Sequence, residues 1–230
     1  MAQEITDSEP LVEASDVSAS WQSEKITMTR RAVLDAIIRC FLKLGYANTT
    51  TSKIATEAGL SRGALLHHFP SSDKLIEATV DHLTSVRIQH YRKLIQAIDP
   101  HASNRIDLGI DAYWQHLISD SYIAFHELII ASRTNPTLEK ILLPKIKQLE
   151  EEWLKNTLVL FPEWKDAGQV LELAMDLTQY LMEGMAANRM TMTHHQDERK
   201  QRLLTYLKAR LKVIFELGVQ GRPIGEVLHL

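Results

Sequence analysis

The chain has 230 residues, enough for one large or two modest domains, and 45% of them are hydrophobic, an ordinary globular share. A net charge of −3 excludes a generally basic nucleic-acid coat, and a single cysteine excludes an intramolecular disulfide framework and fits a reducing compartment. No apolar run approaches the roughly 20 residues that span a bilayer, and the acidic, polar start does not read as a signal peptide, so a soluble, cytoplasmic chain is expected.

Residues 1–24 carry Glu4, Asp7, Glu9, Glu13, Asp16 and Glu24 and no Lys or Arg. They show no sustained periodicity, and the spacing predicts a disordered acidic arm. Such an arm is either a solvated tail or a competitor with phosphate for the basic segment that follows. Residues 25–75 hold eight Lys or Arg against three Asp or Glu, a net of +5. Attraction to phosphate is local at physiological salt, so this segment is compatible with DNA inside an acidic chain.

Helix 1 is expected from a cap at Thr27 or Thr29 to about Leu44. Val33, Ile37, Phe41 and Leu44 form its apolar stripe, with Cys40 beside them as a core residue. Arg30 and Arg31 in the first turn reach a phosphate or are simply solvated. Two short helices follow over Thr49–Phe69. Thr50 is the N-cap of the first, Gly59 supplies the left-handed stop, and Ser61 caps the second. Leu65 and Phe69 face inward, while Arg62, Gly63, Leu66 and His67 share the other side. That pattern is a helix-turn-helix with an outward face suited to the DNA major groove.

The run Gly45-Tyr46, Thr49-Thr50, Ile54-Ala55, Ala58-Gly59, Ser61, Gly63, Leu65, His68-Phe69 and Leu75 resembles the N-terminal domain of TetR-family transcriptional regulators. The resemblance covers about Thr27 to Leu83. It implies an all-α fold: a three-helix DNA-binding domain, here residues 25–71, and a larger helical ligand-binding and dimerisation domain, here residues 72–230 with helix 4 as linker. Leu66 and Ser72 depart from it, because the family has Tyr and Lys there, both tending to touch the DNA backbone. The candidate DNA-binding residues are Thr50, Lys53, Ser61, Arg62, Gly63, Leu66, His67, His68 and Lys74. Arg62 suits guanine O6 and N7, Leu66 a thymine methyl and His67 a base or phosphate. Thr50, Lys53, His68 and Lys74 form the phosphate group.

Pro70 breaks the chain, and Ser71 or Ser72 starts helix 4, expected to reach about Asp99. Arg105–Ser119, Ser121–Arg133 and Pro136–Leu160 read as helices 5 to 7, with a break or kink at Pro144. Helix 8 is expected over Asp166–Arg189, a short connection over Thr191–Gln196, and helix 9 over Asp197–Leu217. These two amphipathic helices bury both faces by pairing with a second copy as a four-helix bundle, the homodimer the resemblance implies, or serve only as intrachain core.

Trp114, His116, Tyr122, Phe125, His126, Met175, Tyr180, Met182 and Met185 are the candidate ligand-binding residues, or plain core. Arg133 is the only cation placed mid-domain in helices 5 and 6, which favours a largely apolar effector over a polyanion. No phosphate loop, nucleophile elbow or HExxH segment is present, so no catalytic residue, metal site or cofactor is expected. Glu150, Glu151 and Glu152 read as a solvated face. The sequence thus reads as a ligand-responsive repressor that binds a pseudo-palindromic double-stranded operator. The alternative is a helical small-molecule-binding protein with degraded DNA affinity; a helical enzyme stands third.

Overall fold

A computed structural model describes residues 13–189 and 196–228. Among them are ten α-helices, one 3-10 turn and no strand. The chain divides into two compact units between Thr79 and Val80.

In the first unit α1 (Glu13–Leu44) packs on α2 (Thr51–Glu57) and α3 (Arg62–His68). Val33, Ile37 and Phe41 of the expected stripe are buried, with Ala36 beside them and Ile54, Ala55, Leu65 and Phe69 facing them, whereas Leu44 at the end of α1 is exposed. Cys40 lies in this core, and burial raises its thiol pKa, which suits a small apolar residue and not a reactive thiolate. α1 begins well before Thr27. Residues 13–24, expected within the arm, are helical, and the rest of the arm lies outside the described residues. Thr27 and Thr29 are therefore not caps. Their hydroxyls donate to the carbonyls of Ser23 and Lys25, at 2.9 and 2.8 Å, inside a continuing helix.

Local chemistry fixes the turn. The Thr50 hydroxyl accepts from the Lys53 N–H at 3.4 Å, and the Ser61 hydroxyl from the Ala64 N–H at 3.1 Å. Gly59 between them has φ +67°, a left-handed backbone that a side chain would strain. Ser71 caps α4 (Ser72–Gln96) by accepting from the Lys74 N–H at 3.2 Å.

The second unit holds the rest of α4 and α5 (Arg105–Leu117), α6 (Asp120–Ser132), α7 (Pro136–Leu160), α8 (Gln169–Asn188), α9 (Gln196–Val219) and the short α10 (Ile224–Val227). α6 packs on α7, and α5 packs on both α8 and α9. Asn135 caps α7 through the Leu138 N–H at 3.1 Å, with Pro136 in the first turn. Of the break or kink expected at Pro144, the break does not occur, and α7 runs through it. It lies on the exposed side of the helix. Lys208 and Lys212 of α9 pair with Asp111 and Asp107 of α5 at 2.6 and 2.8 Å. After α7, Pro162–Trp164 forms the 3-10 turn, and Trp164 is buried against α9. Its indole N–H donates to the Phe215 carbonyl at 3.4 Å. A Cβ on Gly218 would stand 3.3 Å from that indole nitrogen, so glycine permits the close approach. Of the connection expected over 191–196, only Gln196 is among the described residues, and it opens α9.

Candidate DNA-binding face and internal cavity

On α3, Arg62, Gly63, Leu66 and His67 are all exposed, and Leu65 is buried beneath them. They form one surface, as the spacing predicts. A Cβ added at Gly63 would meet only the Ser61 hydroxyl, at 3.9 Å, so the surface over this glycine is open to close approach.

The basic residues near this surface divide by partner. Arg39 and Lys43 of α1 both pair with Glu57 of α2, at 2.7 and 3.0 Å, and their hydrogen bonds hold the Glu57 carboxyl below its usual pKa. Lys53 donates to the Asn48 carbonyl at 2.9 Å. Lys74 pairs with Glu77 at 2.7 Å, which raises its pKa. Arg30 donates to the His68 carbonyl and lies over the Phe69 ring, so it holds the C-terminal end of α3. His68 is half-buried, its ring edge-on to His67 at 5.6 Å. Arg62 has no hydrogen-bond or ion-pair partner among the described residues. The Thr50 and Ser61 hydroxyl oxygens each accept a cap bond and keep their O–H donors. This leaves α3 with one free guanidinium, one exposed apolar side chain and one imidazole, a set that can read base edges.

The second unit encloses a cavity of about 310 Å³ among α4, α5, α6, α7 and α8. Four of the predicted ligand residues line it: His116, Tyr122, Phe125 and His126. The others do not. Trp114 faces a separate surface groove of α5, α8 and α9, shared with Tyr180 and Met185. Met175 faces a small void near Trp164. Met182 is fully buried in the core. Aromatic rings wall the cavity: Tyr113 stacks on Trp153 at 5.3 Å, Tyr122 on His126 at 6.0 Å, and His116 sits edge-on to Tyr122 at 5.8 Å.

Sequence reasoning missed the cavity's cation. Counting charges in helices 5 and 6 overlooked Arg87, which enters from α4 and is only 8% exposed. Its guanidinium carbon lies 4.7 Å from the Tyr122 centroid and 4.5 Å from that of Phe125. Its Nε is buried without a hydrogen-bond partner, and it makes no ion pair among the described residues. Burial lowers its pKa, while Tyr122, Tyr113 and Glu183 act in the other direction. Cation–π contacts are worth about 2 kcal/mol when desolvated, which does not offset the several kcal/mol of burying an ion. The signal was present: Leu83, Arg87, Tyr91 and Ile95 form one buried row at four-residue spacing, with a cation at a core position.

The polar groups around Arg87 are committed elsewhere. Glu183 accepts from the Tyr113 hydroxyl at 3.3 Å. Glu152, expected on a solvated face, pairs with Arg92 at 2.7 Å, and it too lines the cavity. His116 is held at a pKa of about 3 by burial first and then by Arg87 and His90, so it is a neutral imidazole, with Nδ1 unpartnered. Burial likewise raises the pKa of Tyr113 and Tyr122, keeping both as hydroxyl donors.

Among the described residues, no three His, Cys, Asp or Glu side chains are placed to hold a metal, and no helix is long and apolar enough to cross a membrane. A three-helix unit with a capped helix-turn-helix and an exposed face on its last helix has the architecture of a helix-turn-helix domain. Residues 33–79 match the family described as bacterial regulatory proteins, tetR family. These residues thus carry a tetR-family regulatory domain. The chain is 25% identical over 137 residues to the transcriptional regulator CymR of Pseudomonas putida, across 58% of this chain and 67% of that one. It is 40% identical over 60 residues to the regulator TtgR of Pseudomonas putida, where the match spans only 29% of the relative. A TetR-family regulator from Streptomyces coelicolor shares the fold at a TM-score of 0.63 and 14% identity, over 88% of this chain and 95% of that one. Salmonella enterica GusR does so at 0.59 and 20%, over 82% and 95%.

Proposed function

We propose that the protein is a homodimeric repressor that binds a pseudo-palindromic operator through α3 and is released from it by a small molecule in the cavity. The observation that carries this is the exposed surface of Arg62, Gly63, Leu66 and His67, with Arg62 unpaired while Arg39, Lys43 and Lys74 are neutralised by carboxylates. A dimer is supported by two exposed stripes. Leu177 and Tyr180 of α8 are followed by the open space over Gly184, and Leu203, Tyr206 and Val213 line α9. Large apolar side chains repeating at helical spacing on two adjacent helices fit a four-helix bundle with a second copy. Release follows if the effector binds best to a state whose recognition helices are wrongly spaced for successive grooves, and its size is limited by that difference in affinity. The effector has a largely apolar body, as the aromatic walls require.

The test is geometric. A dimer reading two half-sites at one fixed separation loses binding when about 5 base pairs, or a full turn of about 10, is inserted between them. Equal affinity for all three spacings rejects the two-half-site reading. The second reading, a small-molecule-binding protein with degraded DNA affinity, is favoured by Leu66 and by the partnered Lys53 and Lys74, which reduce the phosphate contacts available. It requires ligand binding with no sequence-selective DNA binding.

A further inference from the structure

We propose that the cavity takes a small aromatic monocarboxylate whose carboxylate seats on Arg87. This assignment rests on the cavity being the effector site.

Arg87 is a fixed charge in a buried place, over two rings and with its Nε unpartnered. Arginine cannot shed its proton to escape this environment. Its planar fork is matched by the two oxygens of a carboxylate, which would supply the counter-charge the protein itself withholds. Glu183 stands in the same cavity but outside ion-pair distance of Arg87, and its oxygen accepts from the Tyr113 hydroxyl.

The charge count sets the ligand's valence. Arg87 is the only cation among the lining residues, and Glu150, Glu152 and Glu183 line the cavity too. A dianion such as a phosphate monoester would meet one guanidinium and three carboxylates. A single carboxylate is matched by Arg87 alone. The rest of the ligand is set by the walls. Tyr113 with Trp153 and Tyr122 with His126 form stacked pairs, and flat side chains of this kind favour a flat, aromatic body. A volume of about 310 Å³ is at the lower end for small-molecule sites, which limits that body to one or two rings. A cationic ligand seated on Glu183 would bring a second positive charge beside an unpaired buried arginine.

The experiment is isothermal titration calorimetry on the full chain with benzoate, 4-hydroxybenzoate and trans-cinnamate. Each is run beside its neutral carboxamide, with benzylamine as the cationic probe. At least one acid should bind about 10- to 100-fold more tightly than its amide, the size expected of a charged hydrogen-bonded pair. Arg87→Gln should erase that preference, and Arg87→Lys should restore only part of it, since a point charge lacks the fork. Acid and amide binding alike, benzylamine binding best, or no acid binding at all would each overturn the assignment. The comparison of acid with amide on the unaltered protein decides even if the variants do not fold. Operator release is measured separately. Arg87-dependent acid binding without release would sink the induction reading and leave the site standing. Selective DNA binding with no acid bound would do the reverse.

Discussion

The guanidinium of Arg30 lies 4.3 Å from the centroid of the Phe69 ring, and the same group donates to the carbonyl of His68 at the end of α3. One side chain of α1 thus fixes both the position and the C-terminal polarity of the recognition helix. Arg30→Ala should destabilise the N-terminal unit by about 1–2 kcal/mol, from a lost cation–π contact and a lost helix-end charge. Arg30→Lys should recover only part, because a point charge cannot stack and donate at once. Urea denaturation of the three proteins measures it. A variant as stable as the parent would make Arg30 a solvated charge instead.

Gly59 offers a cleaner case of backbone control. An added Cβ there would meet nothing within 4 Å, so any loss on Gly59→Ala comes from the positive φ alone. The expected cost is about 1–2 kcal/mol, with Gly59→Asn milder because Asn tolerates the left-handed region. Thermal melts would show the order Gly, Asn, Ala; equal melting of Ala and Gly would contradict it.

Arg62 and Arg39 make opposite predictions although both are exposed cations. Arg62→Ala should cost about 1–3 kcal/mol of operator affinity and relax preference at one base position. Arg39 is engaged with Glu57, and Arg39→Ala should leave base preference unchanged. Binding to a set of single-base operator variants separates them. A uniform loss across all sequences for Arg62→Ala would make it a phosphate ligand.

His116 gives the fold a pH dependence with a definite sign. Its pKa is held at about 3 in the folded chain, by burial and then by Arg87 and His90, against 6.5 when exposed. Below pH 6.5 the unfolded chain takes up a proton that the folded chain refuses. Stability therefore falls as pH falls from 6.5 towards 3, at a slope approaching about 1.4 kcal/mol per pH unit. His116→Gln should remove that part of the slope. Urea midpoints between pH 7 and 5 would show it (the interval about which carboxylates contribute least); identical slopes in both proteins would mean His116 protonates freely in the folded state.

The parts of this molecule that were legible in the sequence are those set by neighbours along the chain. Thr50, Gly59 and Ser61 announce their caps and turns within a few residues, and the structure uses each one as expected. The parts that were not legible depend on distant elements or on no packing at all. The first turns of α1 carry Trp21 and Met28 at 70% and 73% exposure, so no buried face marks them as helix. The partner of Arg30 lies 38 residues away, and that of Arg92 lies 60 away. Four of the predicted ligand residues meet at one cavity, but spacing along α8 could not tell that Met175 and Met182 turn into other parts of the core. Arg87 was hidden because a charge inside an apolar row was read past, when it was the most informative residue in the helix.

The most direct measurement is a fluorescence-anisotropy titration of the protein against DNA from its own upstream region, with scrambled DNA as control, at two salt concentrations. The account predicts tight binding to the upstream DNA, weak binding to the scrambled DNA, loss of affinity as salt rises, and loss of the selectivity in Arg62→Ala. Weak binding, equal for both DNAs and indifferent to Arg62, would contradict it and leave the cavity of the second unit as the protein's working site.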